Sequence, residues 1–160
     1  MWELNTTMNK PSISKKSRYR QGVFVPQNPD KYVGEGAVTF RSSWELRLMK
    51  WLDNHNSVII WTSEGMIVPY LSPVDNKEHK YYVDFLAKMR RKDGTIMTYA
   101  IEVKPAKEML PPRKNKNKER MITEVTTYVT NQAKWAYARA YCEQRGIAFL
   151  VLNEHDLGIA

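Results

Sequence analysis

Apolar residues recur at helical spacing over residues 42–54, where Trp44, Leu48, Met49 and Leu52 would share one face and Ser42 would cap the start. From residue 57 the pattern shifts to short apolar runs, at 57–61 and 66–70, followed by the turn-forming stretch Ser72-Pro73-Val74-Asp75-Asn76. Two longer strands are predicted at 81–90 and 95–104. Between them lies Asp93-Gly94, a dipeptide suited to the left-handed backbone of a tight hairpin. A long helix follows over 121–144, stopped by Gly146, and then an apolar strand over 147–152. This order predicts an α/β protein with one mixed β-sheet flanked by helices. The chain has 160 residues, enough for one domain with a real core. Residues 31–160 are expected to form that domain, and residues 1–30, turn-rich and basic, a partly disordered arm.

Two of the predicted strands carry charges where the pattern calls for apolar residues. On the strand over 95–104, Met97, Tyr99, Ile101 and Val103 alternate onto one face, which leaves Ile96, Thr98, Ala100, Glu102 and Lys104 on the other. On the strand before it, Asp84 interrupts an aromatic and aliphatic run, on a face shared with Tyr82 and Leu86. Hairpin pairing would bring Asp84 and Glu102 together. Two neighbouring buried carboxylates are costly without a cation, and hard oxygen ligands suit Mg²⁺, with Mn²⁺ a substitute. Such a metal can activate water and polarise a phosphate oxygen, and Lys104 would point into the same volume. A plain salt bridge at a strand end is the competing reading of these residues.

Glu45 falls on the apolar stripe of the first helix. It can close a capping box with Ser42, or stand as a further acid at the metal cluster, direct or through water. On the long helix Val125, Tyr128, Val129 and Ala136 suggest an apolar stripe that includes Gln132. Gln132 would then either satisfy a backbone group or face the site and hold a water or a phosphate. Asn131 and Lys134 are expected on the helix surface, where they could touch DNA, and Trp135 in the core.

Charge narrows the choice of partner. The chain holds 25 Lys and Arg against 17 Asp and Glu, a formal net charge of +8, which favours a polyanion. Lys15, Lys16, Arg18 and Arg20 lie in an arm segment without acids. Residues 104–120 hold seven basic side chains against Glu108 and Glu119. Arg41, Lys107, Arg113, Lys114, Lys116, Lys118 and Lys134 join them as candidate contacts to double-stranded DNA. No stretch approaches the roughly 20 apolar residues of a membrane span, so no membrane partner is expected. Cys142 is the single cysteine and cannot form an internal disulfide or a thiolate zinc site. A protein working inside a cell is expected.

An acid on a helix, an acid on a strand and Glu-x-Lys on the next strand resemble the PD-(D/E)XK nuclease superfamily, carried here by Glu45, Asp84, Glu102 and Lys104. A more specific resemblance rests on Phe40-Arg41-Ser42-Ser43-Trp44-Glu45, Val68-Pro69-Tyr70, Tyr82-Val83-Asp84-Phe85, Glu102-Val103-Lys104-Pro105 and Thr130-Asn131-Gln132-Ala133-Lys134-Trp135. Together these look like the head completion nucleases of T4-like tailed phages, and the core is also similar to TnsA-like transposase endonucleases. The resemblance implies a restriction-endonuclease-like fold and Mg²⁺-dependent hydrolysis of DNA phosphodiesters. It implies a part in phage head completion, with DNA and head, portal or neck proteins as partners, in the virion and the host cytoplasm. Asp84, Glu102 and Glu45 would then hold metal, and Lys104 and Gln132 would complete the site. A DNA-end-binding factor without catalysis and a transposase endonuclease subunit are the alternatives.

Overall fold

A computed structural model describes residues 21–158. Its elements are β1 (Gly22–Phe24), β2 (Val38–Phe40), α1 (Ser43–Asn54), β3 (Val58–Leu71), β4 (Glu78–Arg90), β5 (Ile96–Val103), α2 (Lys118–Glu143) and β6 (Ile147–Leu152), with a 3₁₀ turn at Ala106–Met109. The main sheet runs β3-β4-β5-β6, with β1 and β2 forming a small antiparallel pair apart from it. β3, β4 and β5 are antiparallel neighbours. β6 joins β5 in parallel after the α2 crossover, so the sheet is mixed, as expected.

Strand alternation divides the interior into two cores. Leu48, Met49 and Leu52 of α1 pack with Phe24, Val38, Phe40, Trp61, Phe85 and Ile101 on one face of the sheet. Trp135, Ala138 and Cys142 of α2 pack with Met66, Val68, Tyr70, Tyr81, Val83, Leu86 and Ala100 on the other. The spacing of the α2 residues, four then three then four, is one helical stripe that begins at Asn131.

Three sequence expectations change. The runs at 57–61 and 66–70 are one strand, and the register of β3 against β4 shifts between Ser63 and Met66. Glu64 adopts a positive φ of 54° there, as an extra residue in a bulge does. The bulge lies opposite Asp84 and breaks the alternation of β4. Val83 packs on the α2 face and Phe85 on the α1 face, so Tyr82, 41% exposed, does not share a face with Leu86. Residues 22–30 are not part of an arm. β1 pairs with β2 through Gly22↔Phe40 and Phe24↔Val38, and the Gln27 amide donates to the buried Asp53 carboxylate at 2.8 Å. The basic residues Lys15, Lys16, Arg18 and Arg20 lie outside the described residues. The third change concerns α2. Val125 and Ala136 are exposed and Asn131 is buried, so the inward stripe is not the one the aliphatic residues suggested. Among the described residues no helix is long and apolar enough to cross a membrane.

Candidate active site

The β4–β5 ladder ends at Phe85↔Ile101, one step before Asp84 and Glu102 would face each other. At that step the Asp84 carboxylate takes the place of the backbone: its Oδ2 accepts the Val103 amide at 2.8 Å. On the other side of β5 the parallel ladder continues to Val103↔Leu152, and the Lys104 amide donates to the Leu152 carbonyl at 2.9 Å. Glu102 is therefore held by β6 on one edge, with the Asp84 side chain standing in for β4 on the other, and Lys104 follows it where the strand leaves the sheet. The two carboxyls interact directly. Burial pushes both above the usual carboxylate range; for Asp84 the charge of Glu102 adds to this, and the Val103 amide and Lys104 oppose it.

Glu45 approaches from α1. Its backbone amide donates to the Ser42 hydroxyl at 3.1 Å, and its carboxylate accepts the Arg41 amide at 2.9 Å. The capping role is thus realised, reaching one residue before the N-cap. Burial first, and the charge of Asp84 second, push Glu45 up to about 7. Glu45 caps the helix, and the charge of Asp84 reaches it. Arg41, expected at DNA, is tied to Glu64 of the β3 bulge by a 2.6 Å ion pair. Glu64 belongs to the rim of the site and has no signal in the sequence, because the bulge that turns it there is not legible in the pattern.

The long helix supplies residues other than the expected one. Gln132 is half-buried, one step off the inward stripe. Asn131 and Trp135 lie on that stripe, 5% and 2% exposed. Lys134, expected on the surface, is half-buried, with its Nζ 5.8 Å from the centre of the Tyr70 ring and 5.5 Å from that of Tyr81. Burial lowers its pKa, while the charges of Glu102 and Asp84 act against that. The remaining basic candidates, Lys107, Arg113, Lys114, Lys116 and Lys118, are all exposed on the segment that leaves β5 and enters α2. Glu154 pins the start of that segment by accepting the Ala106 amide at 2.8 Å.

The acid pair has the chemistry of a divalent metal site. Glu102 Oε2 is buried without a hydrogen-bond partner among the described residues. Asp84 keeps a single backbone donor for its two oxygens. Mg²⁺ takes one or two carboxylates and completes its shell with water and phosphate oxygens, and two hard carboxylates with open lone pairs meet that demand. Among the described residues no three His, Cys, Asp or Glu side chains converge closely enough to hold one ion. Glu45, expected at the cluster directly or through water, caps α1 within reach of the charge of Asp84.

A mixed sheet flanked by helices, with buried acids and a lysine where the ladder between its central strands stops, is a restriction-endonuclease-like fold. Residues 55–154 match the family described as TnsA-like endonuclease N terminal, and the chain belongs to that family. It is 36% identical over 142 residues to the head completion nuclease of Enterobacteria phage T4. That match covers 85% of this chain and 92% of the relative.

Proposed function

We propose that the chain is an Mg²⁺-dependent deoxyribonuclease that hydrolyses DNA phosphodiesters during phage head completion, trimming packaged DNA ends before tail attachment. The observation that carries the reading is the Asp84–Glu102 pair, buried, interacting and short of donors, with Lys104 two residues on. Bound between these carboxyls, Mg²⁺ would supply Lewis-acid polarisation of a phosphate oxygen and a more acidic water. Asp84 is oriented for such a site by the Val103 amide, and Glu102 by its ladder with β6. Lys104 brings an ammonium that orients the attacking water or offsets charge growing on the phosphate oxygens. Glu45 adds negative potential behind the pair without needing to touch the metal.

The exposed cations at 107–118 would bind the backbone of double-stranded DNA through phosphates alone, which suits a nuclease without sequence preference. Head completion is proposed because the phage relative bears that name and is covered almost end to end. Virion and host cytoplasm are the corresponding locations, and head, portal or neck proteins the partners. Nicking of supercoiled plasmid under Mg²⁺, Mn²⁺ or EDTA tests the reading. Nicking should require the metal and vanish in Asp84→Asn. Salt-sensitive DNA binding without nicking under any metal would support a DNA-end-binding factor instead. Cleavage that appears only with a transposase partner would support the transposase-subunit alternative.

A further inference from the structure

Tyr81 Oη, Trp135 Nε1, Asn131 Nδ2 and Glu102 Oε2 are buried without hydrogen-bond partners among the described residues. Tyr81 and Glu102 are close enough to act on each other's protonation, and Trp135 acts on Tyr81 in turn. Asn131 stands one turn before Trp135 on the same inward stripe. Lys134 sits between them in sequence, and its ammonium lies over the Tyr70 and Tyr81 rings. Among the described residues Lys134 forms no ion pair. Such an ammonium, partly stripped of water, held by ring faces and within reach of the charges of Glu102 and Asp84, is placed to meet an anion presented at that pair.

We propose that Lys134 is a second catalytic cation, which grips a non-bridging oxygen of the phosphodiester presented to Asp84 and Glu102, with the Tyr70 and Tyr81 rings fixing its position. The proposal rests on the nuclease reading and deepens it. Lys104 and Lys134 then approach the reacting phosphate from two elements, the end of β5 and the face of α2. Lys134 differs in kind from the exposed cations at 107–118. It acts on one phosphate at the reacting centre, whereas they hold the flanking backbone and fix affinity.

Single-turnover nicking of plasmid with saturating protein and Mg²⁺ tests the catalytic part. Lys134→Met keeps the length of the side chain and its packing on the two rings, and Lys50→Met, on the exposed face of α1, controls for net charge. Lys134→Met should lose on the order of 100-fold in rate, the usual effect of removing one donor to a developing oxyanion. Lys134→Arg should recover most of that loss, and Lys50→Met should match the wild type. Phosphate contact is read separately, as anisotropy of a short fluorescent duplex in EDTA on an Asp84→Asn background. There Lys134→Met should weaken binding roughly five- to tenfold and lower the salt slope by about one, and Lys134→Arg should restore both. A Lys134→Met protein that nicks like Lys50→Met overturns the proposal, even if its affinity falls. Should Lys134→Met fail to melt cooperatively, Lys134→Gln takes its place in both assays. If even the wild type does not nick, the nuclease reading fails by itself. An unchanged salt slope in the duplex assay then also removes the phosphate contact.

Discussion

Asp53 and the Asp84–Glu102 pair are all buried carboxyls, yet the fold treats them in opposite ways. Asp53, completely inaccessible at the end of α1, accepts the Gln27 amide at 2.8 Å and the Asn28 amide at 3.4 Å. The Asn28 side chain returns a hydrogen bond to the Asp53 carbonyl at 2.8 Å. Every feature of that site closes a loop onto a helix. Glu102 is almost as deeply placed, but Oε2 has no partner, and its nearest neighbours are another acid and a tyrosine hydroxyl that also lacks one. A buried carboxylate with its donors in place contributes to the fold. One without them costs stability, and the cost implies a partner from outside.

The contrast is sharpest in Asp84→Asn, where activity and stability should move apart. Nicking should fall on the order of 1,000-fold or more, because one of two carboxylates for the metal is gone. The metal-free protein should nevertheless melt higher at pH 8. The amide oxygen can still accept the Val103 N–H, and the repulsion from Glu102 is removed. Mg²⁺ or Mn²⁺ should raise the melting temperature of the wild type and leave Asp84→Asn unmoved. Thermal unfolding with and without metal reads both. Equal metal stabilisation of the two proteins would place the ion elsewhere.

Asp53→Ala should do the reverse. Two amides lose their acceptor at a buried carboxylate, so the fold should lose about 2 kcal/mol, measured by urea denaturation. Well below the melting transition, its nicking rate per folded molecule should stay within about twofold of the wild type. A large loss of rate in a folded Asp53→Ala protein would mean that the β1 segment reaches the active site, and the separation of the two acids would no longer hold.

The acid pair was legible because strands have a short period. Glu102 and Lys104 share a face with Ala100 by simple alternation, and Asp93-Gly94 fixes the hairpin that brings Asp84 alongside. Asp53 was not legible, because its partners are backbone amides 25 and 26 residues earlier, and a backbone donor leaves no mark in the sequence. β1 and β2 are three residues each, too short for a period to show. The bulge at Glu64 reversed the facing of residues 81–83, since one extra residue in β3 is invisible in β4. On α2 the reading followed Val125, Tyr128 and Val129. The helix instead buries Asn131, Trp135, Ala138 and Cys142, a stripe that opens with a polar residue. Lys134 was read as a surface cation for the same reason. A lysine between two buried positions reads as solvated until the rings beneath it are known.

Glu45 stands between these two kinds of acid and gives the smallest effect. Like Asp53 it has a backbone donor, the Arg41 amide, and like Glu102 it feels the charge of another carboxyl. Its pKa rises from an ordinary value near 4.5 in the unfolded chain to about 7 in the fold. The folded state therefore holds its proton more tightly, so this contribution to stability is complete below pH 4.5 and is lost as pH climbs through 7. Glu45→Gln keeps an oxygen for the Arg41 amide and never acquires the charge. The two proteins should be equally stable at pH 4, and the variant more stable by about 3 kcal/mol at pH 8 in EDTA. Adding Mg²⁺ at pH 8 should narrow that gap, because a cation at Asp84 and Glu102 offsets the charge that Glu45 carries behind them. Urea melts across pH 4–8, with and without Mg²⁺, measure both effects. A gap that is constant with pH would mean that Glu45 is only a cap. One that opens with pH but ignores Mg²⁺ would mean that the glutamate is buried but does not sense the metal site.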